Sequence, residues 1–234
     1  LNELIDLNKE INFIFSSSAT VYGNPEIVPI TESEPIKKAE SPYGNTKQIG
    51  EEIIKDLVNS NPNFKAISLR YFNPIGAHTS ALIGELPIGV PQNLVPFITQ
   101  TSIGLRKELT VFGNNYPTRD GSCVRDYIHV VDLAKAHIKS LDKLISNKDK
   151  SYYDTFNIGT GKGTSVLELI KCFENVTENK LNFKIGDRRK GDVAECFADV
   201  SKANKFLNWK SELSVEDSLL SSWNWEKNIN NEKL

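Results

Sequence analysis

Short apolar runs alternate with amphipathic stretches along most of the 234-residue chain. An apolar run of about four to eight residues is typical of a buried strand, and apolar residues three and four apart are typical of a helix. The pattern predicts strands at residues 12–16, 65–72, 124–130, 153–159 and 181–185, and helices at residues 42–58, 93–105, 132–145, 165–174 and 215–227. Strands that alternate with helices favour an α/β fold with a doubly wound parallel sheet.

Two kinds of signal refine this prediction. Ser41 is a favourable N-cap with Pro42 at the first helical position, and Asp132 is the predicted cap of a later helix. In an open α/β sheet, ligands bind beyond the carboxyl ends of the strands. Residues 16–18 and 71–73 fall at such ends. We therefore expect a ligand site near them.

Tyr43 and Lys47 are four residues apart in the first predicted helix, so they share one of its faces. An ammonium group beside a phenol favours the phenolate, which can take a proton from a substrate hydroxyl near neutral pH. Ser18 would supply a hydroxyl donor at the end of the first strand. The same three residues are also compatible with a surface tyrosine, a solvated lysine and a serine that ends a strand.

Three further segments have a functional and a structural interpretation. Residues 70–74 carry an aromatic pair and an amide that suit a polar ligand, although a core aromatic pair with a turn asparagine is the simpler interpretation. The basic residues of 188–192, together with Arg125, suit diphosphate oxygens because a guanidinium binds them as a fork. A solvated charge run is the alternative. Residues 159–164 are predicted to form a loop, since a P-loop needs Ser or Thr where Gly163 stands.

Composition excludes several classes of partner. A net charge of -2 gives no reason to expect a nucleic acid or an anionic membrane, and no apolar run approaches membrane-spanning length. The three scattered cysteines suit a reducing compartment and predict a cytoplasmic protein. Histidines and cysteines lack metal-ligand spacing, so no metal is predicted. The chain contains no methionine, which predicts that it is a fragment of a longer protein.

Four motifs together resemble the UDP-glucose 4-epimerase family of the extended short-chain dehydrogenase/reductases. They are FSSSATVYG at residues 15–23, SPYG with Lys47 at residues 41–47, LRYFNPIGAH at residues 69–78 and VRDYIHVVDL at residues 124–133. The resemblance runs from about residue 11 to residue 227 and keeps the motifs in the family's order.

The resemblance implies a Rossmann-like NAD-binding domain made of residues 1–73 and 124–160, whose glycine-rich N-terminal part is missing. A smaller α/β UDP-sugar-binding domain would comprise residues 74–123 and 161–234. The cofactor would be NAD and the substrate a UDP-hexose, which is epimerised at C4 through a 4-keto sugar in galactose metabolism. The family also implies a homodimer that pairs through helices, one of which matches residues 41–58.

The resemblance assigns a role to each matching residue. Tyr43 would take the O4 proton of the sugar, Ser18 would hydrogen-bond O4, and Lys47 would hold the nicotinamide ribose. The implied cofactor-binding set is Ser16, Ser18, Tyr43, Lys47, Tyr71 and Phe72. The implied substrate-binding set is Ser18, Tyr43, Asn73, Asn93, Leu94, Thr110, Val111, Phe112, Arg125, Tyr127, Arg189, Asp192 and Cys196. Because a small residue at Cys196 leaves room beside the sugar C2 substituent, UDP-GlcNAc and UDP-GalNAc are predicted as further substrates.

Two other functions remain open at this stage. Related nucleotide-sugar dehydratases use the same tyrosine and lysine, but they need an acidic residue just after the strand serine, where this chain has Ala19 and Thr20. A non-catalytic UDP-sugar-binding protein is the second alternative, because the cofactor-cradling segment is missing. For the same reason we expect the 234-residue chain to be inactive by itself.

Overall fold

The computed structural model describes residue 3 and residues 9–231 of the chain. Its strands are β1 (Ile11–Ser18), β2 (Phe64–Tyr71), β3 (Asn73–Ile75), β4 (Leu109–Phe112), β5 (Val124–Arg125), β6 (Tyr127–His129), β7 (Tyr152–Ile158), β8 (Thr164–Ser165), β9 (Phe183–Gly186) and β10 (Glu195–Cys196). Its helices are α1 (Pro42–Ser60), α2 (Leu94–Ser102), α3 (Val130–Ser146), α4 (Val166–Thr177), α5 (Ser201–Leu207) and α6 (Val215–Asn231), with a short 3-10 helix at Ala19–Tyr22.

The chain divides into two compact units. Unit 1 runs through Phe72 and includes Ala134–Gly161 and Ala198–Lys210, whereas unit 2 comprises Asn73–Leu133, Lys162–Phe197 and the segment from Ser211 onward. Both units combine helices with parallel strand pairs, and this confirms the predicted α/β class.

Unit 1 contains a parallel sheet in the order β1-β2-β7. The central strand, β2, is buried along almost its whole length, as expected for a strand with neighbours on both sides. Ser18 pairs with Tyr71, which in turn pairs with Ile158, so the three strands end together at one edge. Polar side chains at that edge are therefore brought close to one another.

Helix α1 begins where the sequence predicts. The side chain of Ser41 accepts a hydrogen bond from the backbone N–H of Gly44 at 3.1 Å, and Pro42 opens the helix. Gly50 lets the helix lie close to the sheet, because a Cβ atom there would be 2.5 Å from the ring of Phe15. Ile54 and other apolar residues of α1 pack against β2 in the core of unit 1.

Unit 2 contains the parallel pair β4–β9, the three-stranded sheet β10-β5-β8 and the parallel pair β3–β6. Its core is formed by apolar side chains of α2, α4 and α6, among which Phe173 and Trp223 meet edge to face with ring centroids 5.9 Å apart. A capping box of Ser165 and Glu168 starts α4.

The unit boundaries differ from the predicted domains by single residues at Asn73 and Gly161 and by two longer segments. Residues 124–133 belong to unit 2 because β5 pairs with β8 and β10 and β6 pairs with β3. Residues 198–210 belong to unit 1, where Ala198 bridges Ile30 and Lys202 donates to Asp154 at 2.5 Å. Both assignments depend on pairings between segments that are far apart in the sequence. The local patterns that predict strands and helices carry no information about such pairings.

Two predicted elements need correction. The strand predicted at 124–130 is two short strands, because the N–H of Asp126 donates to Cys196 while its carbonyl accepts from Asn73, so the segment changes partner there. Helix α3 begins at Val130, and Asp132 therefore lies inside its first turn rather than at the cap. Its Oδ2 atom accepts instead from the backbone N–H groups of Glu212 and Leu213 at 2.7 and 2.8 Å.

Candidate active site

An exposed phenol and an ammonium group lie together at the carboxyl edge of the unit 1 sheet. Tyr43, in the first turn of α1, is 55% exposed. The Nζ atom of Lys47 lies 5.4 Å from the centroid of the Tyr43 ring and donates to the carbonyl of Ser16 at 2.8 Å. The structure thus brings together the pair that the helical spacing predicts.

A hydrogen bond and close packing connect the 3-10 helix after β1 to α1. The Nε2 atom of Gln48 donates to the carbonyls of Val21 and Lys37 at 2.8 and 2.7 Å, and a Cβ atom on Gly44 would be 3.1 Å from the carbonyl oxygen of Thr20. These contacts hold the start of α1 close to the end of β1.

Ser18 caps the 3-10 helix, because its Oγ atom accepts from the backbone N–H of Thr20 at 3.2 Å. The hydroxyl still has its proton to donate, since an accepted hydrogen bond uses only a lone pair. Ser18 is therefore suited to donate to a substrate oxygen, as the sequence predicts, although only 8% of its surface is exposed.

Tyr71 supplies a second phenol at the same edge. Its hydroxyl donates to Ser16 Oγ at 2.8 Å and lies 2.5 Å from Nε2 of His137 on α3. Burial raises the pKa of Tyr71, and the nearby Tyr43 phenol raises it further, although the bond to Ser16 lowers it. Tyr71 therefore stays protonated at neutral pH. The neighbouring Phe72 is buried, with 7% of its surface exposed.

The sequence did not point to His137. It lies 66 residues from Tyr71, and no motif or metal-ligand spacing marks it. In the sequence, the one signal for His137 was its position on the inner face of an amphipathic helix.

A cluster in unit 2 joins two guanidinium groups through one carboxylate. Arg189 donates to Asp192 from Nε at 3.2 Å and from Nη2 at 2.9 Å, and Nη2 of Arg125 lies 3.6 Å from the same carboxylate. The side chain of Asp192 is 15% exposed and that of Arg189 is 59% exposed. Asp192 raises the pKa of Arg189 above its ordinary value. The cluster is cationic, and the guanidinium of Arg189 is more than half exposed although it is bound to Asp192, which suits phosphate oxygens.

Other predicted substrate residues border this cluster. The guanidinium of Arg189 lies 6.0 Å from the ring of Phe112, which is 47% exposed at the end of β4. Cys196 on β10 pairs with Arg125 on β5. Burial raises the pKa of Cys196 to about 11, so the side chain is a neutral thiol at physiological pH and packs as a small apolar group.

The remaining predicted residues have different surroundings. Val111 and Tyr127 are buried in the core of unit 2, and burial raises the pKa of Tyr127. Asn93 is exposed and donates from Nδ2 to Glu85 at 2.7 Å. The half-buried members of the set are Asn73 on β3, Leu94 at the start of α2 and Thr110 on β4.

Arg188, which belongs to the basic run at residues 188–192, has contacts of its own in the structure. Its guanidinium lies 4.1 Å above the ring of Tyr116, and its Nε donates to Asn115 at 2.6 Å. Arg188 is exposed, as a solvated run predicts, and also has these partners. This stacking holds the loop that carries the adjacent Arg189.

Among residue 3 and residues 9–231, no group of three or more His, Cys, Asp or Glu side chains could hold a metal ion. Within the same residues, every helix is too short or too polar to cross a bilayer.

Known proteins resemble the chain over most of its length. A family model described as GDP-mannose 4,6 dehydratase matches residues 1–221. The UDP-glucose 4-epimerase of Drosophila melanogaster is 48% identical over 94% of this chain. The crystal structure of UDP-glucose 4-epimerase from Bifidobacterium longum in complex with NAD+ and UDP has a TM-score of 0.91 and 45% identity, and the match covers 99% of this chain and 68% of that one. The UDP-Glc/GlcNAc 4-epimerase of Campylobacter jejuni has a TM-score of 0.75 and 35% identity over 93% of this chain and 64% of that one.

The chain spans 62% of the length of the Drosophila melanogaster relative and 64% of the length of the Bacillus subtilis one. The likeness to solved epimerases confirms the predicted Rossmann-like fold class. From the family model and these relatives it follows that the chain belongs to the family that the GDP-mannose 4,6 dehydratase model describes and, within it, to the UDP-glucose 4-epimerases.

Proposed function

We propose that the protein interconverts UDP-glucose and UDP-galactose by epimerisation at C4, through a 4-keto sugar and with NAD as cofactor, in galactose metabolism. One observation carries the proposal. The exposed phenol of Tyr43 shares a helix face with Lys47, whose ammonium lies 5.4 Å from the phenol ring. That pair can accept a proton from a sugar hydroxyl, and the relatives of this chain include UDP-glucose 4-epimerases.

The residues of unit 1 fit the nicotinamide end of NAD. Lys47 and Ser16 present an ammonium and an exposed hydroxyl at the carboxyl edge of the sheet, where dinucleotides bind in such folds. Bound NAD would accept a hydride from C4 of the sugar and supply it for the return step. The solved relative from Bifidobacterium longum contains NAD+ and UDP.

The chain's own groups would handle the proton. Tyr43 accepts the O4 proton as C4 is oxidised and returns it when C4 is reduced. Ser18 donates a hydrogen bond to O4, and Lys47 stabilises the negative charge that forms on Tyr43 and holds the ribose of the cofactor. Because Tyr71 stays protonated, it acts as a hydrogen-bond donor beside them.

Unit 2 would bind the UDP moiety. Arg125 and Arg189 offer forks for the diphosphate, and Asp192 orients both guanidinium groups. Phe112 lies beside Arg189 with an exposed ring that suits stacking on a planar base. We include Asn73, Asn93, Leu94, Thr110, Val111 and Tyr127 in this set on the strength of the family resemblance.

We also propose that UDP-GlcNAc and UDP-GalNAc are substrates. The resemblance implies that Cys196 borders the sugar C2 substituent, and a neutral, small thiol there would leave room for an N-acetyl group. The Campylobacter jejuni relative is a UDP-Glc/GlcNAc 4-epimerase.

A nucleotide-sugar dehydratase is the second candidate, since the matching family model carries that description. Dehydration needs an acid just beyond the strand serine to protonate the leaving hydroxyl. Ala19 and Thr20 stand there, and neither can donate as a carboxylic acid does. We therefore favour epimerisation.

Product analysis separates the candidates. The full-length protein is purified, its bound NAD is measured by absorbance and fluorescence after denaturation, and it is then incubated with UDP-galactose. We expect bound NAD and UDP-glucose as the product. A 4-keto-6-deoxy product would favour the dehydratase, and neither NAD nor turnover would favour a UDP-sugar-binding protein. The 234-residue chain, tested alongside, is expected to be inactive.

We further propose that the protein is a homodimer. Helix α1 matches a helix that pairs subunits in the family, and it exposes Ile49 and Ile53, which are four residues apart on one face and 46% and 49% exposed. We expect light scattering at micromolar concentration to give twice the monomer mass, and a monomer mass would refute the proposal.

A cytoplasmic location stays a prediction from the scattered cysteines.

A further inference from the structure

Helix α1 carries a buried carboxylate on the same face as the proposed catalytic pair. Glu51 follows Lys47 by four residues and Tyr43 by eight, so the three side chains form one stripe. The stripe passes from the exposed Tyr43 to Glu51, which is 5% exposed, and then to Ile54, which is 2% exposed. The face of α1 that carries Tyr43 and Lys47 is therefore the same face that is buried in the core further along the helix.

Glu51 is fully engaged with the sheet below it. Its Oε1 accepts from Ser17 Oγ at 2.5 Å and from Arg70 Nε at 2.9 Å, and its Oε2 accepts from Arg70 Nη2 at 2.6 Å. The side chains of Arg70 and Glu51 are 5% and 6% exposed. This bidentate pair ties α1 to β2, and the serine ties it to β1.

The contacts continue beyond Arg70. Its Nη1 donates to the hydroxyl of Tyr22 at 3.0 Å, and that hydroxyl donates to Asn157 Oδ1 at 2.6 Å. Asn157 donates in turn to the backbone carbonyl of Ile30 and to the carboxylate of Glu32, at 2.8 Å in each case. A network of this kind fixes relative positions, because each group has a defined partner.

The location of the network relates it to the catalytic pair. Ser17, which binds Glu51, lies between Ser16, whose carbonyl accepts from Lys47, and Ser18. Glu51 is about 12 Å along the helix axis from Tyr43, at about 1.5 Å per residue. A small rotation of α1 about its axis would therefore displace both Tyr43 and Lys47 from the ends of the strands.

A role in stability alone is a weaker explanation. A buried ion pair loses the hydration of both charges, and apolar side chains of similar volume often give an equally stable protein. A bidentate carboxylate–guanidinium pair supplies directional constraint, which apolar packing lacks.

We propose that Glu51 and Arg70 are positioning residues, which set the rotation and axial position of α1 so that Tyr43 and Lys47 meet the reacting sugar. This role rests on the proposed epimerase function. The pair acts through the chemical step and not through UDP binding, since its atoms lie within unit 1 while the proposed UDP contacts lie in unit 2. A misplacement of about 1 Å costs catalysis roughly 100-fold.

The test replaces the pair by apolar side chains in the full-length protein, as the double variant Glu51→Leu/Arg70→Met. We expect kcat to fall by roughly 10- to 100-fold. The Kd for UDP and the Tm should stay near the wild-type values. The loss should fall on kcat, with KM for UDP-galactose nearly unchanged, because the pair positions the reacting groups and does not contact the substrate. Glu51→Asp keeps the negative charge opposite Arg70 and shortens the side chain by one methylene. It should show a smaller loss, and it tests the proposal if the double variant does not fold.

A matched control removes a different ion pair of the same strand. Lys65, at the start of β2, donates to Glu10 at 2.7 Å and is 5% exposed in its side chain. Lys65→Met/Glu10→Leu should leave kcat and KM near the wild-type values. The positioning role is overturned if the folded Glu51 variants keep the wild-type kcat, or if the control variant loses as much. Wild-type protein without epimerase activity would instead overturn the proposed function.

Discussion

Replacing Tyr43 by phenylalanine is expected to lower epimerase turnover by roughly 100- to 10,000-fold, the usual contribution of a positioned acid–base group. The substitution removes the hydroxyl that would take the O4 proton and keeps the aromatic ring. Because the side chain is 55% exposed, little packing depends on its oxygen. The Lys47 ammonium would still face the ring at about its present distance of 5.4 Å. The loss should therefore fall on kcat, with UDP binding nearly unchanged.

The measurement is kcat for UDP-galactose in the full-length protein, together with the Kd for UDP. Tyr153→Phe is a suitable control, since this tyrosine also lies on unit 1 and has a hydroxyl partner, Ser68, at 3.1 Å. It should retain turnover within about threefold of the wild type. Turnover of Tyr43→Phe within that same range would rule out Tyr43 as the base.

The sequence was enough to group the proposed catalytic residues, because the signals that relate them are local. The spacing of Tyr43 and Lys47, with Ser41 as the cap of their helix, depends on a single element, and the structure forms that helix with the same start. The alternation of strands and helices similarly predicted the three strands of unit 1, whose ends carry Ser18 and Tyr71. Local periodicity was enough for these features.

The features that the sequence did not supply depend on distant partners. Arg70 lies 19 residues from Glu51, and Tyr22 lies 135 residues from Asn157, so no periodic pattern relates them. The same limit explains why Asp132 was taken for a helix cap. Its carboxylate accepts hydrogen bonds from backbone N–H groups about 80 residues away. In the sequence, an aspartate that binds a distant loop cannot be distinguished from an aspartate that caps a helix.

A tyrosine in place of Cys196 should abolish turnover of UDP-GlcNAc and largely spare that of UDP-glucose. The wild-type side chain is a neutral thiol on β10, paired with Arg125 of the proposed UDP-binding set. If it borders the C2 substituent, a phenol there would occupy the space of an N-acetyl group but not that of a hydroxyl. A steric clash penalises only the larger substrate, which is how a pocket gains specificity by exclusion.

The experiment compares kcat/KM for the two substrates in wild-type protein, Cys196→Tyr and Cys196→Ser. The serine variant is the control because it alters the chemistry of the position and keeps it small, so it should retain both activities. We expect the tyrosine variant to keep UDP-glucose turnover within about threefold and to lose UDP-GlcNAc turnover by at least roughly 100-fold. Equal losses on both substrates would mean that tyrosine disturbs the Arg125 strand rather than the sugar pocket. Wild-type protein without detectable UDP-GlcNAc turnover would show that another side chain closes the pocket, and the inference from Cys196 would fail.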